Sequence, residues 1–304
     1  MCSTRRNFIK GLSAAALLPV LPSFGANTGD DKQEKYHRLL TANIRVALDE
    51  DLAKGVGWPQ RKDICLQIIK NKKPDIIALQ EVLKVQAEDF RQYFKNFQLL
   101  GFDGPEMDEH TTGYHGIAKN PILFSRERYE LLGAGTYWLS ETPLIAGSKS
   151  WDTARARHAN WVRLRERNTG REFRVVNLHL DHVSENAKIR QLKMVVEESA
   201  QYQPGFPQLL AGDFNARRES EVFASIKTAA WKEAYETIHG EAEAGYTTHE
   251  FNGENYPKGA SKGRIDFIWY RGKVKPVAAG IIKDSVDGKY PSDHYFLQTD
   301  LIIE

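Results

Sequence analysis

The sequence predicts an α+β fold, a four-layer α/β sandwich of two packed, mixed β-sheets flanked by helices. Two observations lead there. Short apolar and β-branched segments recur along the whole chain, many without the apolar–polar alternation of a half-solvated strand, as expected when both faces are covered. Segments with helical periodicity are few, too few for the regular strand–helix alternation of a barrel.

The strands are expected at 38–48, 75–82, 116–124, 129–139, 161–165, 173–181, 208–214, 265–271, 276–282 and 295–303. Three helices lie between them. The first, 63–72, puts Ile64, Cys65, Ile68 and Ile69 on one face and is stopped by Pro74. The second, 83–94, is apolar at 83, 87, 90 and 94, and the third, 184–202, opens on Ser184 as N-cap with Glu185 in its first turn. No linker, repeat or low-complexity run divides residues 26–304, so they are expected to fold as a single domain.

Residues 1–25 stand apart. Thr4, Arg5, Arg6, Asn7, Phe8, Ile9 and Lys10 precede an apolar run at 12–21 that is broken by Pro19 and too short for a permanent membrane span. This is the pattern of a twin-arginine signal peptide, with Ser23 and Gly25 fitting cleavage after Gly25. The expected consequences are passage through the twin-arginine translocase, a periplasmic or secreted mature protein, and no stable membrane anchor. Of the 42 Lys+Arg in the chain, Arg5, Arg6 and Lys10 leave with the leader; the remaining 39 face 40 Asp+Glu, a net charge of −1. Such a balance gives no global field to hold a long polyanion. Cys65 alone survives cleavage, so no intramolecular disulfide is available, which suits a protein folded in a reducing compartment before export.

The polar residues that close apolar runs carry the chemistry. LLTANIR ends on Asn43 and DIIALQEV on Glu81, which taken alone is either a solvated strand end or a ligand. In VVNLHLDH, Asn177, His179 and Asp181 alternate with apolar residues and share one face of a strand, where they need partners or a cleft. QLLAGDFNA presents Asp213 and Asn215 through a Gly, and RIDFIWY sets Asp266 among apolar neighbours, where a lone carboxylate is expensive. PSDHYF offers it a partner in His294, beside Asp293. An Asp266–His294 pair would hold one imidazole nitrogen as donor and leave the other free to take a proton from water.

Read in order, TANIR, LQEV, NLHLDH, GDFNA, IDFIW and YPSDH resemble the six-motif signature of the endonuclease/exonuclease/phosphatase superfamily, with the deoxyribonuclease-I-like fold. The strings TYWLSETP (136–143) and WDTARARHANWVRL (151–164) further resemble its bacterial secreted branch. The resemblance implies a metal-dependent phosphoesterase that attacks with water in line. It implies Mg²⁺ or Mn²⁺ held by Glu81 with Asn43 and Asp293, an oxygen-rich set that suits hard cations. It implies that His179, Asp213, Asn215, Asp266 and His294 do the chemistry, with the base being either His294 or Asp213. Arg157, Asn177 and His115 are the residues expected at the substrate.

Where many secreted relatives carry a Gly-Glu pair, this chain has Gly113, Tyr114 and His115, and an acidic stretch precedes them at Asp103, Glu106, Asp108 and Glu109. Bordering a cleft, that stretch would repel a long phosphate backbone. A small or terminal phosphoester is therefore the expected substrate ahead of long duplex DNA. The alternatives are a non-specific periplasmic nuclease and a non-catalytic binding protein for a glycan or lipid head group. Trp138 and Trp151 are expected in the core, with stacking on a base or sugar as the other reading.

Overall fold

The computed structural model describes residues 36–101, 118–240, 245–259 and 263–304. The leader, His115 and the acidic stretch at 103–109 lie outside the described residues. The first sheet carries β1 (His37–Asn43), β2 (Ile76–Gln80), β3 (Phe97–Leu100), β4 (Ile122–Ser125), β11 (Val274–Ile282) and β12 (Phe296–Ile303), in the order β11-β12-β1-β2-β4-β3. The second carries β5 (Tyr129–Trp138), β6 (His158–Glu166), β7 (Glu172–His179), β8 (Gln208–Asp213), β9 (Lys232–Glu233) and β10 (Asp266–Arg271), in the order β5-β6-β7-β8-β10-β9. Both sheets are mixed, because β1 runs parallel to β2 and β7 parallel to β8 while the other pairs are antiparallel.

Three apolar layers hold the sandwich. Between the sheets lie Leu39, Ile76, Phe124, Val162, Val175 and Leu209, all fully or almost fully buried. Outside the first sheet pack α1 (Asp49–Ala53), α2 (Trp58–Asn71) and α3 (Lys84–Tyr93), with Cys65, Ile69 and Phe90 against Leu40, Ile77 and Leu79. Outside the second pack α4 (Glu185–Ser199) and α5 (Ala224–Thr228), with Leu192 and Val195 against Val176, Leu178 and Leu210. A further helix, α6 (Ala234–His239), is capped by Glu233, which accepts from the backbone N–H of Tyr235 and Glu236. The four-layer sandwich predicted from the sequence is the observed one. Cys65 is fully buried in this outer layer, and burial pushes its thiol up to about 12.

The departures have local causes. The strand expected through residue 48 stops at Asn43, because Arg45 turns the chain at φ 56° and α1 follows. The strand expected at 116–124 is the shorter β4, with one isolated bridge between Val82 and Lys119 before it. The helix expected from 63 begins at Trp58. Its N-cap is Gly57, whose N–H donates to Gln60 Oε1 at 2.7 Å, and Pro59 occupies the first turn, so no Ser, Thr or Asp marks the start.

Candidate active site

Two strand ends of the second sheet bring the first half of the site together. Asp213 closes β8, Asp266 opens β10, and the two pair directly across the ladder; His179 closes β7 opposite Asp213. Gly212 makes this possible: it sits at φ 148°, and a Cβ there would collide with the Leu178 carbonyl oxygen. His294 approaches from the segment before β12, where Thr248 and His294 form a bridge and Tyr295 N donates to Thr247 O at 2.7 Å. Its Nδ1 donates to Asp266 Oδ2 at 2.9 Å, leaving Nε2 4.0 Å from Asp213 Oδ2. Asn215, in a left-handed turn at φ 47°, donates through Nδ2 to His179 Nε2 (3.0 Å) and Leu180 O (3.1 Å), and its N–H donates to Asp213 Oδ1 (2.8 Å).

The first sheet supplies the second half, just beyond β1 and β2. Glu81 takes φ 63°, which swings its carboxylate back so that Oε2 accepts from Val46 N at 2.9 Å and Oε1 from Asn43 Nδ2 at 3.1 Å. The same Asn43 nitrogen donates to Asp213 Oδ2 at 2.9 Å, so one amide joins the two sheets. Asp293 lies 3.5 Å from Arg45 Nη1 and accepts from Ser292 Oγ at 3.2 Å, while Ser292 Oγ also donates to Asn43 O at 2.7 Å.

The charges are unbalanced. Burial, and then the neighbouring Asp266 carboxylate, push Asp213 up to about 7 against the opposing pull of His294. Burial likewise raises Asp293. Burial works against Glu81 too, but the Val46 N–H, His294 and Asn43 outweigh it and hold its carboxyl below the usual range. Burial opposes the charge on His294, yet the Asp266 carboxylate beside it keeps it protonated well above the ordinary histidine value. Burial, then the Arg157 charge, keep His179 neutral.

Among the described residues, four carboxylates thus share this cleft with an amide and few cations, a donor set that fits a hard divalent ion. Among the described residues, Asp213, Asp266 and His294 place one ligand atom each within 4.8 Å of one another and could hold a metal. Glu81, Asn43 and Asp293 stand across from them.

Eight of the residues singled out in the sequence therefore converge: Asn43, Glu81, His179, Asp213, Asn215, Asp266, Asp293 and His294. Arg157 is buried at the edge of the group, with Nη2 3.3 Å from His182 Nδ1. Asn177 is elsewhere. Its Nδ2 donates to Leu79 O, Asn120 O and Pro121 O at 2.8–3.0 Å and its Oδ1 accepts from Gln80 Nε2 at 2.7 Å, so the side chain expected at the substrate is spent on tying the sheets together. Asp181, its neighbour on the same strand face, holds a loop by accepting from Ala154 N, Thr153 Oγ1, Val183 N and Ser184 N.

Two residues that sequence reasoning passed over support the site. Buried Arg61 donates to the carbonyls of Ile44, Arg45 and Pro291, clamping the turns that present Glu81 and Asp293; on a surface helix its sequence context reads as a solvated charge. Thr247 Oγ1 accepts from Ile265 N at 3.1 Å at the start of β10.

The fold and sequence are similar to those of several known proteins. The endonuclease/exonuclease/phosphatase from Bacteroides vulgatus is 30% identical, with a TM-score of 0.77 over 88% of this chain and 99% of its own. A mannosyl-6-phosphatase of Bacteroides thetaiotaomicron is 25% identical, with a TM-score of 0.75 and coverage of 88% and 99%. Nocturnin of Drosophila melanogaster is 29% identical over 287 residues, 81% of this chain and 42% of its own length, so the chain spans less than half of that relative. The profile of the Endonuclease/Exonuclease/phosphatase family matches residues 40–294: the chain belongs to that family, whose members hydrolyse phosphoester bonds.

Proposed function

We propose that the protein is an exported phosphoesterase that hydrolyses a small or terminal phosphoester with Mg²⁺ or Mn²⁺. The observation that carries this reading is the link from Glu81 through Asn43 to Asp213, which sets a carboxylate able to hold a cation against the Asp213–His294–Asp266 group. A cation held by Glu81, Asn43 and Asp293 would offset charge on the phosphoryl oxygens. Between the two candidate bases the electrostatics favour Asp213: it sits at about 7, poised to take a proton from water, while His294 stays charged against Asp266 and suits contact with a phosphoryl oxygen. Asn215 and neutral His179 position the phosphate, and Arg157 adds charge beside it. A specific observation favours a second reading of the metal: the close Asp213–Asp266–His294 group as an additional cation site.

For the substrate, the support is the near-neutral balance of residues 26–304 and the likeness to a mannosyl-6-phosphatase that matches along almost its whole length. The likeness to nocturnin supports a nuclease instead. Rates on plasmid DNA and on small phosphoesters across a salt series separate the two. The small-substrate reading expects a slope of log K on log[salt] below about 3, and efficient plasmid nicking with a slope of about 6 or more would replace it by the nuclease. Export is tested by replacing Arg5 and Arg6 with Lys: the precursor should stay in the cytoplasm, and unchanged mature protein in the periplasm would refute a twin-arginine leader.

A further inference from the structure

The row of side chains that ends the second sheet is longer than the site built on it. Asp266 pairs with Asp213, and Asp213 with His179. Ala159 pairs with Leu178, which sets His158 opposite His179, and His158 in turn pairs with Trp138 on β5. Directly opposed residues share a face. His158 and Trp138 therefore continue the row along the same face between the sheets. From the other sheet Lys119, bridged to Val82 next to Glu81, brings its Nζ 5.2 Å from the centroid of the Trp138 ring.

His158 has no part in the site so far. It is 2% exposed and neither ring nitrogen has a hydrogen-bond partner, although buried polar groups are almost always bonded. Burial first, and then the Lys119 and Arg157 charges, hold its pKa well below the ordinary histidine value, so the ring is neutral and keeps one N–H to donate. Its ring centroid lies 5.0 Å from that of Trp138, the ring under Lys119 Nζ, and Arg157 precedes it in the chain. A buried donor beside two cations, one strand spacing or about 4.8 Å beyond His179, has the chemistry to receive an anion.

We propose that His158, with Lys119 and Arg157, forms a second anion subsite beside the hydrolytic centre, which takes a second phosphate carried on the leaving group of a small bisphosphorylated substrate. The inference rests on the phosphoesterase reading. A substrate with one phosphate leaves the imidazole unbonded. A second phosphate gives it a charge-assisted hydrogen bond in a low dielectric, where such bonds are strong. The face of Trp138 under Lys119 closes the far end of the row.

Calorimetric titration tests this on the full chain carrying Asp213→Asn, which keeps the probes from being consumed, with fructose 6-phosphate and fructose 1,6-bisphosphate in Mg²⁺. The bisphosphate should bind at least about 10-fold more tightly, the size of one hydrogen bond to a charged group. Adding His158→Leu or Lys119→Met should each remove most of that preference while leaving the monophosphate affinity within about 2-fold, which also shows that the variants fold. His158→Gln, which keeps a donor, should retain it. Equal affinity for the two sugars, no binding of the bisphosphate, or a preference that survives both His158→Leu and Lys119→Met would overturn the subsite. Turnover of 4-nitrophenyl phosphate by the protein with Asp213 intact is read separately, and its absence counts against the phosphoesterase reading alone.

Discussion

The two ends of the sandwich both bury charge, and they differ in how that charge is balanced. At the end away from the site, Arg128 pairs with Asp75 and Glu166 at 2.8 Å each, Glu166 also accepts from Thr169, and His37 Nδ1 bonds Tyr129 at 2.8 Å. Each acid there has a cation within reach, as a network built for stability requires. At the site end, among the described residues, Glu81, Asp213, Asp266 and Asp293 share His294, a 3.5 Å contact from Arg45, which already bonds Asp51 at 2.9 Å, and the longer-range charge of Arg61, whose guanidinium is spent on backbone carbonyls. The difference teaches that burial alone does not mark a functional centre. A surplus of one sign, left for something absent from the chain to neutralise, does.

The comparison breaks most visibly at the balanced end. Arg128→Met removes the cation that Asp75 and buried Glu166 share and should cost about 3–5 kcal/mol of folding stability while leaving kcat unchanged. Chemical denaturation with parallel kinetics checks both halves of that statement. At the site end the effects should be reversed. Asp213→Asn should lower kcat by at least about 10²-fold with little loss of stability, and His294→Ala should lower it as much while also leaving buried Asp266 unpaired, read by steady-state kinetics and thermal melts. Wild-type turnover by Asp213→Asn would remove Asp213 from the chemistry. Smaller still, Asp293→Asn should raise the stability of the metal-free protein by about 0.5–2 kcal/mol, because burial and the neighbouring Glu81 carboxylate raise its pKa and the charge is kept for function.

The pH dependence sharpens the contrast, since the two ends have opposite signs. Burial and Arg128 hold His37 at about 4 in the folded protein against an ordinary 6.5. The unfolded chain then binds the proton first, so this end loses stability as pH falls from 6.5 to about 4. Asp213 sits at about 7 against an ordinary 3.8, so the folded chain binds the proton first and the metal-free protein loses stability as pH rises from 3.8 to about 7. His37→Gln should flatten the first limb and Asp213→Asn the second, in melting temperature measured against pH with a chelator present. A single substitution that flattened both would show that the ends are not independent.

Much of this was legible in the sequence because the strands that deliver the site are short apolar runs with a polar residue at the end. Asp213, Asp266 and Glu81 could be placed from that pattern, and the helices flanking the first sheet from their periodicity. What the pattern withholds is what a strand face looks at. Asn177 and His179 share a face of β7, but Asn177 meets carbonyls of the other sheet and His179 meets the cleft, a difference set by how the sheets are stacked. Arg61 was illegible for the same reason: its guanidinium is claimed by carbonyls of turns far away in sequence, which no local signal records. The small elements between β8 and β10 escaped because α6 is capped by a glutamate and β9 has only two residues.

The central claim is that the acid surplus at the site end exists to hold a divalent cation for phosphoester hydrolysis. Thermal unfolding of the parent and of Glu81→Gln, each in chelator and in excess Mg²⁺, tests it directly. The parent should gain about 3 kcal/mol at a hundredfold excess over Kd and melt several degrees higher, while Glu81→Gln should gain far less. A parent that melts at the same temperature in chelator and in Mg²⁺, or a Glu81→Gln protein that gains as much as the parent, would contradict the account.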